Sequence, residues 1–113
     1  MTGNNAQNNA QIVLGIDPGY AITGYGIVAY RNNHFDCLDF GVIRTQAQEV
    51  FSARLLKINN RLEALIATWQ PDAVAVEELF FSRNTTTAIG TAQARGVAVL
   101  SGARAGLPVF EYT

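Results

Sequence analysis

The sequence predicts an α/β fold: a mixed five-stranded sheet flanked by helices. Three β-rich runs follow one another within the first 43 residues, an apolar stripe at helical spacing then breaks that texture, and two more strand-like runs each follow a helical stretch. Strands joined by tight turns pair antiparallel, whereas a strand reached through a crossover helix returns parallel, so both kinds of pairing are expected in one sheet.

Ile12-Val13-Leu14-Gly15-Ile16 is an apolar run of strand length that ends in the turn residues Asp17-Pro18-Gly19. A buried strand thereby delivers a carboxylate to its own C-terminal end. Residues 23–30 and 35–43 are rich in aromatic and β-branched side chains, with Arg31-Asn32-Asn33-His34 as the loop between them. Phe51, Leu55, Ile58, Leu62, Leu65 and Trp69 recur at steps of three and four and share one helix stripe, with Arg54, Lys57, Asn60, Arg61 and Glu63 assigned to the polar sides. Thr45 and Gln48 have capping-box spacing, although Phe51 at the head of the stripe allows a later start. Pro71 stops this helix. Ala73-Val74-Ala75-Val76 reads as a strand ending in Glu77-Glu78. Asn84 is a suitable N-cap for a second helix reaching about Arg104, with Gly106 as its C-terminal stop, and Val109-Phe110-Glu111-Tyr112 is the fifth strand. In the second helix Ala88, Ala92 and Gly96 lie four apart, as do Gly90, Ala94, Ala98 and Gly102. Such stripes permit close backbone approach, either by a two-fold partner or by the chain's own sheet.

With 113 residues, 49% of them hydrophobic, the chain suits one domain, residues 12–113, after a polar leader at residues 1–11 that is expected to be disordered. That leader has neither the apolar run nor the basic start of a signal peptide, and a cytoplasmic protein is expected. One cysteine, Cys37, excludes an intramolecular disulfide and reads as a small buried apolar residue. Eight Lys plus Arg against nine Asp plus Glu exclude a generally basic nucleic-acid coat. Residues 79–110 nevertheless carry Arg83, Arg95 and Arg104 and no acid.

The chemistry lies in the acids at strand ends. In parallel sheets ligands gather at the carboxyl ends of the strands, where Asp17 and the Glu77-Glu78 pair both fall. If their strands are neighbours, the carboxylates converge, and two ionised carboxylates in contact require a proton, a basic group or a divalent cation. Oxygen-only ligands select Mg²⁺ or Mn²⁺, which act on phosphate esters. Strand parity places Ala73, Ala75 and Glu77 on one face and Val74, Val76 and Glu78 on the other; the small-residue face leaves room for ligands and favours Glu77, with Glu78 the alternative. The plain readings are a turn aspartate before Pro-Gly and a solvated strand end.

Leu14-Gly15-Ile16-Asp17-Pro18-Gly19, Thr23-Gly24-Tyr25-Gly26, Pro71-Asp72, Ala75-Val76-Glu77, Phe80-Phe81, Asn84, Gln93-Ala94-Arg95-Gly96-Val97 and Leu107-Pro108-Val109-Phe110-Glu111-Tyr112 together resemble the RuvC-type Holliday junction resolvases, in the family's order. The resemblance implies an RNase H-like fold and a homodimer that nicks four-way junction DNA in pairs, in recombination and repair, alongside RuvA and RuvB. It implies Asp17 and Glu77 as catalytic metal ligands for Mg²⁺, with Mn²⁺ able to substitute and two ions per site in the full-length enzyme. It implies DNA contacts by Phe80, Phe81, Arg83 and Asn84, with Phe80 stacking on an unpaired base. The family takes two further carboxylates from a later helix, beyond Thr113. The chain is therefore read as lacking the C-terminal part of its domain and as inactive by itself. The competing classes are an RNase H-like nuclease of the YqgF type acting on structured RNA, a non-catalytic junction-binding or dimerisation module, and an actin-like ATP-binding domain.

Overall fold

The computed structural model describes residues 9–78 and 85–113, the side chains of Thr85 and Thr86 excepted. Strands β1 (Gln11–Asp17), β2 (Ile22–Arg31) and β3 (His34–Arg44) are followed by helix α1 (Phe51–Trp69), strand β4 (Ala73–Glu77), helix α2 (Thr85–Arg104) and strand β5 (Val109–Tyr112). The sheet order is β3-β2-β1-β4-β5, antiparallel from β1 to β3 and parallel from β1 through β4 to β5. The predicted mixed sheet is thus present, and the two acid-ended strands are neighbours.

The first hairpin is tighter than the sequence reading. Only Asn32 and Asn33 form its turn, both at positive φ, which asparagine tolerates better than most residues. His34 belongs to β3, where its Nε2 lies 3.1 Å from Asp36 Oδ1 on an exposed surface.

Leu14 and Ile16 of β1, Ile27 of β2, Val74 and Val76 of β4 and Leu62 of α1 are each 0% exposed and form the core with Ile58, Leu65, Ala94 and Ala98. Both helices therefore pack on the sheet face that carries these residues. The small-residue stripes divide accordingly. Gly102 is buried against the sheet: a Cβ there would come within 2.8 Å of Val109 and 3.1 Å of Val74. Ala94 and Ala98 line the same seam, while Ala92 and Gly96 are exposed, beside exposed Ile89 and Leu100.

Two expectations fail. Cys37 is exposed, because β3 is an edge strand whose first half is exposed at successive residues, hence on both faces, with a bulge opposite Ile27 and Val28 breaking its alternation. Arg54 is 3% exposed and occupies the buried side of α1 one turn before Ile58. Its Nε donates to Thr45 Oγ1 and its Nη2 to the Tyr20 carbonyl, each at 2.9 Å, and its guanidinium lies over the Tyr20 and Phe51 rings. Thr45 therefore serves as an acceptor for Arg54 and not as a helix cap; α1 starts at Phe51 with no side-chain cap. At its other end Gln70 adopts the left-handed conformation before Pro71.

Leu62→Ala should destabilise the fold by about 2–5 kcal/mol, as deletion of a fully buried leucine does, whereas Leu56→Ala, at an exposed position of the same helix, should stay within about 0.5 kcal/mol. Urea denaturation of the two variants checks this contrast.

Candidate metal centre

The position of the acids follows from strand register. β1 and β4 pair Leu14 with Val74 and Ile16 with Val76, so Asp17 and Glu77 are the next residues on the two strands and share the face away from the helices. Asp72 pins this register at the opposite end. The Ile12 N–H donates to Asp72 Oδ2 at 2.8 Å, and the Asp72 N–H donates to the Ile12 carbonyl at 2.7 Å. On the other side of Asp17 stands Gly24, its antiparallel partner, whose missing side chain leaves that flank of the carboxylate open. Asp17 is exposed and Glu77 half-buried.

The two carboxyl groups come within hydrogen-bonding reach of each other. A hydrogen bond with Asp17, the negative charge of Asp17 and partial burial, in that order, push the Glu77 carboxyl above its ordinary value of 4.5. Glu78 takes no part: it is exposed, and its backbone N–H donates to the Tyr112 carbonyl at 2.7 Å. Among the described residues no group of three or more His, Cys, Asp or Glu side chains comes together, so the centre consists here of two acids. Phe80, Phe81, Arg83 and Asn84 lie outside the described residues. Of the other two arginines in that stretch, Arg95 pairs with Glu111, and Arg104 lies 3.8 Å from Glu63. Their charges are partly neutralised within the chain and do not form a free basic face. No helix among the described residues is long and apolar enough to cross a membrane.

Sequence reasoning missed the support beneath the site. Tyr20, in the loop that follows Asp17, has its ring 4.8 Å from the Arg54 guanidinium carbon and packs against Gly90, where a Cβ would come within 3.1 Å of it. Thr45 holds the next residue through its N–H to the Ala21 carbonyl at 3.0 Å. The signal was present in the sequence: Arg54 lies four residues before Ile58, on the side that turns inward.

A five-stranded mixed sheet in this order, flanked by two helices and with acids at the ends of its first and fourth strands, defines the chain as an RNase H-like domain. Residues 13–113 match the family model described as crossover junction endodeoxyribonuclease RuvC, and the chain belongs to that family. The crossover junction endodeoxyribonuclease RuvC of Ruminiclostridium cellulolyticum is 53% identical over 102 residues, covering 90% of this chain and 61% of the relative. The RuvC of Thermus thermophilus in complex with a Holliday junction substrate superposes with a TM-score of 0.83 at 34% identity, over 90% of this chain and 65% of that one. The yeast mitochondrial Holliday junction resolvase Ydc2, at a TM-score of 0.65 and 14% identity over 89% of this chain and 49% of its own, shares the fold. The chain thus spans about three-fifths of the length of the curated relatives it matches.

Because Glu77 is held above 4.5, the folded state binds more protons than the unfolded state just above that pH. This contribution to stability is present below 4.5 and is lost as pH rises through the raised value. Carbon-detected NMR titration should place the Glu77 midpoint above 4.5 and return it towards 4.5 in Asp17→Asn, which removes the opposing charge. Arg54→Ala should cost about 2 kcal/mol or more by deleting two hydrogen bonds and two ring contacts, as measured by thermal unfolding.

Proposed function

We propose that the full-length protein is a divalent-metal-dependent endonuclease that resolves four-way DNA junctions, with Asp17 and Glu77 as two of its metal-binding carboxylates. The observation that carries this reading is the contact between these acids at adjoining strand ends, within a chain of the RuvC family. The donor set fits the metal: two hard oxygen ligands, crowded enough that one holds its proton more tightly than usual, present the excess negative charge that Mg²⁺ or Mn²⁺ neutralises. Such an ion supplies Lewis-acid polarisation of a phosphodiester when bound. Asp17 and Glu77 hold and orient it, and Gly24 leaves the flank of Asp17 free for a DNA backbone to approach.

In this reading Phe80, Phe81, Arg83 and Asn84 contact the junction, with Phe80 stacking on an unpaired base. The remaining carboxylates come from the part of the relatives' length that this chain does not span. The protein acts as a homodimer in the cytoplasm, in a system with RuvA and RuvB. The exposed line Ile89, Ala92, Gly96 and Leu100 on α2 is the candidate two-fold contact, since it presents small and apolar side chains that the chain's own sheet leaves uncovered.

The test is single-turnover cutting of a synthetic four-way junction by the protein at the length of its relatives. Cutting should require Mg²⁺ or Mn²⁺ and should fall by at least on the order of a thousandfold in Asp17→Asn and in Glu77→Gln. The 113-residue chain by itself should not cut. Metal-independent cutting, or full activity of Asp17→Asn, would overturn the assignment.

A further inference from the structure

The acids do not stand alone in their row across the sheet. Asp17 pairs with Gly24 on one side and adjoins Glu77 on the other, and Glu77 in turn pairs with Tyr112 of β5. Residues paired directly across neighbouring strands share a face, whether the strands are antiparallel as at Gly24 and Asp17 or parallel as at Glu77 and Tyr112, so Gly24, Asp17, Glu77 and Tyr112 form one line on the face away from the helices. Partial burial, and then the negative charges of Glu77 and Asp17, hold the Tyr112 phenol above its usual 10.0, so the ring lies within electrostatic reach of both acids. The side chain is 43% exposed. β5 cannot slide relative to this site: the Val74 N–H donates to the Pro108 carbonyl at 2.9 Å and the Glu78 N–H to the Tyr112 carbonyl at 2.7 Å, one bond at each end of the strand pair.

We propose that the Tyr112 hydroxyl is a direct contact of the substrate, donating a hydrogen bond to a non-bridging oxygen of the scissile phosphate held at Asp17 and Glu77. The inference rests on the nuclease reading above and adds a residue to it. An anionic phosphodiester approaching two carboxylates meets repulsion. A phenol supplies a donor at the edge of the acid pair without a positive charge that would compete with a metal ion for the carboxylates. Gly24 at the opposite end of the row has no side chain, so the line is open on one flank and carries a donor on the other.

The experiment uses the protein at the length of its relatives with a synthetic four-way junction, and compares the parent with Tyr112→Phe, which keeps the ring and removes the hydroxyl. Single-turnover cutting should slow by about ten- to a hundredfold, the scale of one hydrogen bond to a charged group. Mn²⁺ affinity by calorimetry and the thermal midpoint should match the parent. In the absence of metal, junction affinity should fall a few-fold with a phosphate at the cleavage position and be unchanged with an uncharged methylphosphonate there. A cutting rate within twofold of the parent overturns the inference. So does a rate loss that follows weakened Mn²⁺ binding, which would put the hydroxyl to work on the acids and not on the substrate. Asp17→Asn, run in parallel, separates the two levels: if it still cuts, the nuclease reading fails, whereas an inactive Asp17→Asn beside a fully active Tyr112→Phe removes only Tyr112.

Discussion

The parallel register between β1 and β4 is the constraint on which the site depends. The side-chain period of a strand is two, so a slip of one residue between these strands would turn either Asp17 into the core and Leu14 and Ile16 out of it, or Glu77 in and Val74 and Val76 out. Two forces forbid the slip. Leu14, Ile16, Val74 and Val76 are all fully buried on the helix side, and a one-residue slip would drive apolar side chains into water. Asp72 and Ile12 exchange two hydrogen bonds at the start of the pair and fix the alignment there. The acids then meet five residues further on as a consequence of packing they take no part in.

That division of labour explains how the sheet tolerates paired carboxylates. The face under α1 and α2 supplies the stability, and the opposite face carries Asp17, Glu77 and Tyr112 in contact with solvent. Water screens the repulsion, and what remains is a tighter grip of Glu77 on its proton. Behind the pair, Arg54 brings a buried positive charge to the Tyr20 carbonyl with Thr45 Oγ1 and two aromatic rings as its partners. Gly90 lets α2 close over Tyr20. The loop that follows Asp17 is thus held by both helices.

Periodicity and punctuation made most of the architecture legible beforehand. The α1 stripe, the stop at Pro71, the turn at Gly106 and all five strands can be read from local pattern, since each records a repeat of two or about 3.6 residues or a backbone preference of Gly, Pro or Asn. Cys37 and Arg54 mark where that logic stops. A small apolar residue reads as buried and an arginine as solvated, yet an edge strand left uncovered on both faces exposes the one, and a clamp of neutral acceptors and rings accommodates the other. Neither environment exists until remote segments pack.

By itself, then, the sequence determined that two apolar strands end in acid, that helix α1 separates them with length enough for a crossover, and that Glu77 shares its parity with small residues. Only the tertiary structure decided that these strands are neighbours, that Tyr112 extends their row, and which stripe of α2 turns inward. The physical reason is range: side-chain alternation and helix periodicity are properties of contiguous residues, whereas strand order, burial of Arg54 and the meeting of Asp17 with Glu77 across 60 positions of chain arise from long-range packing that no local pattern encodes.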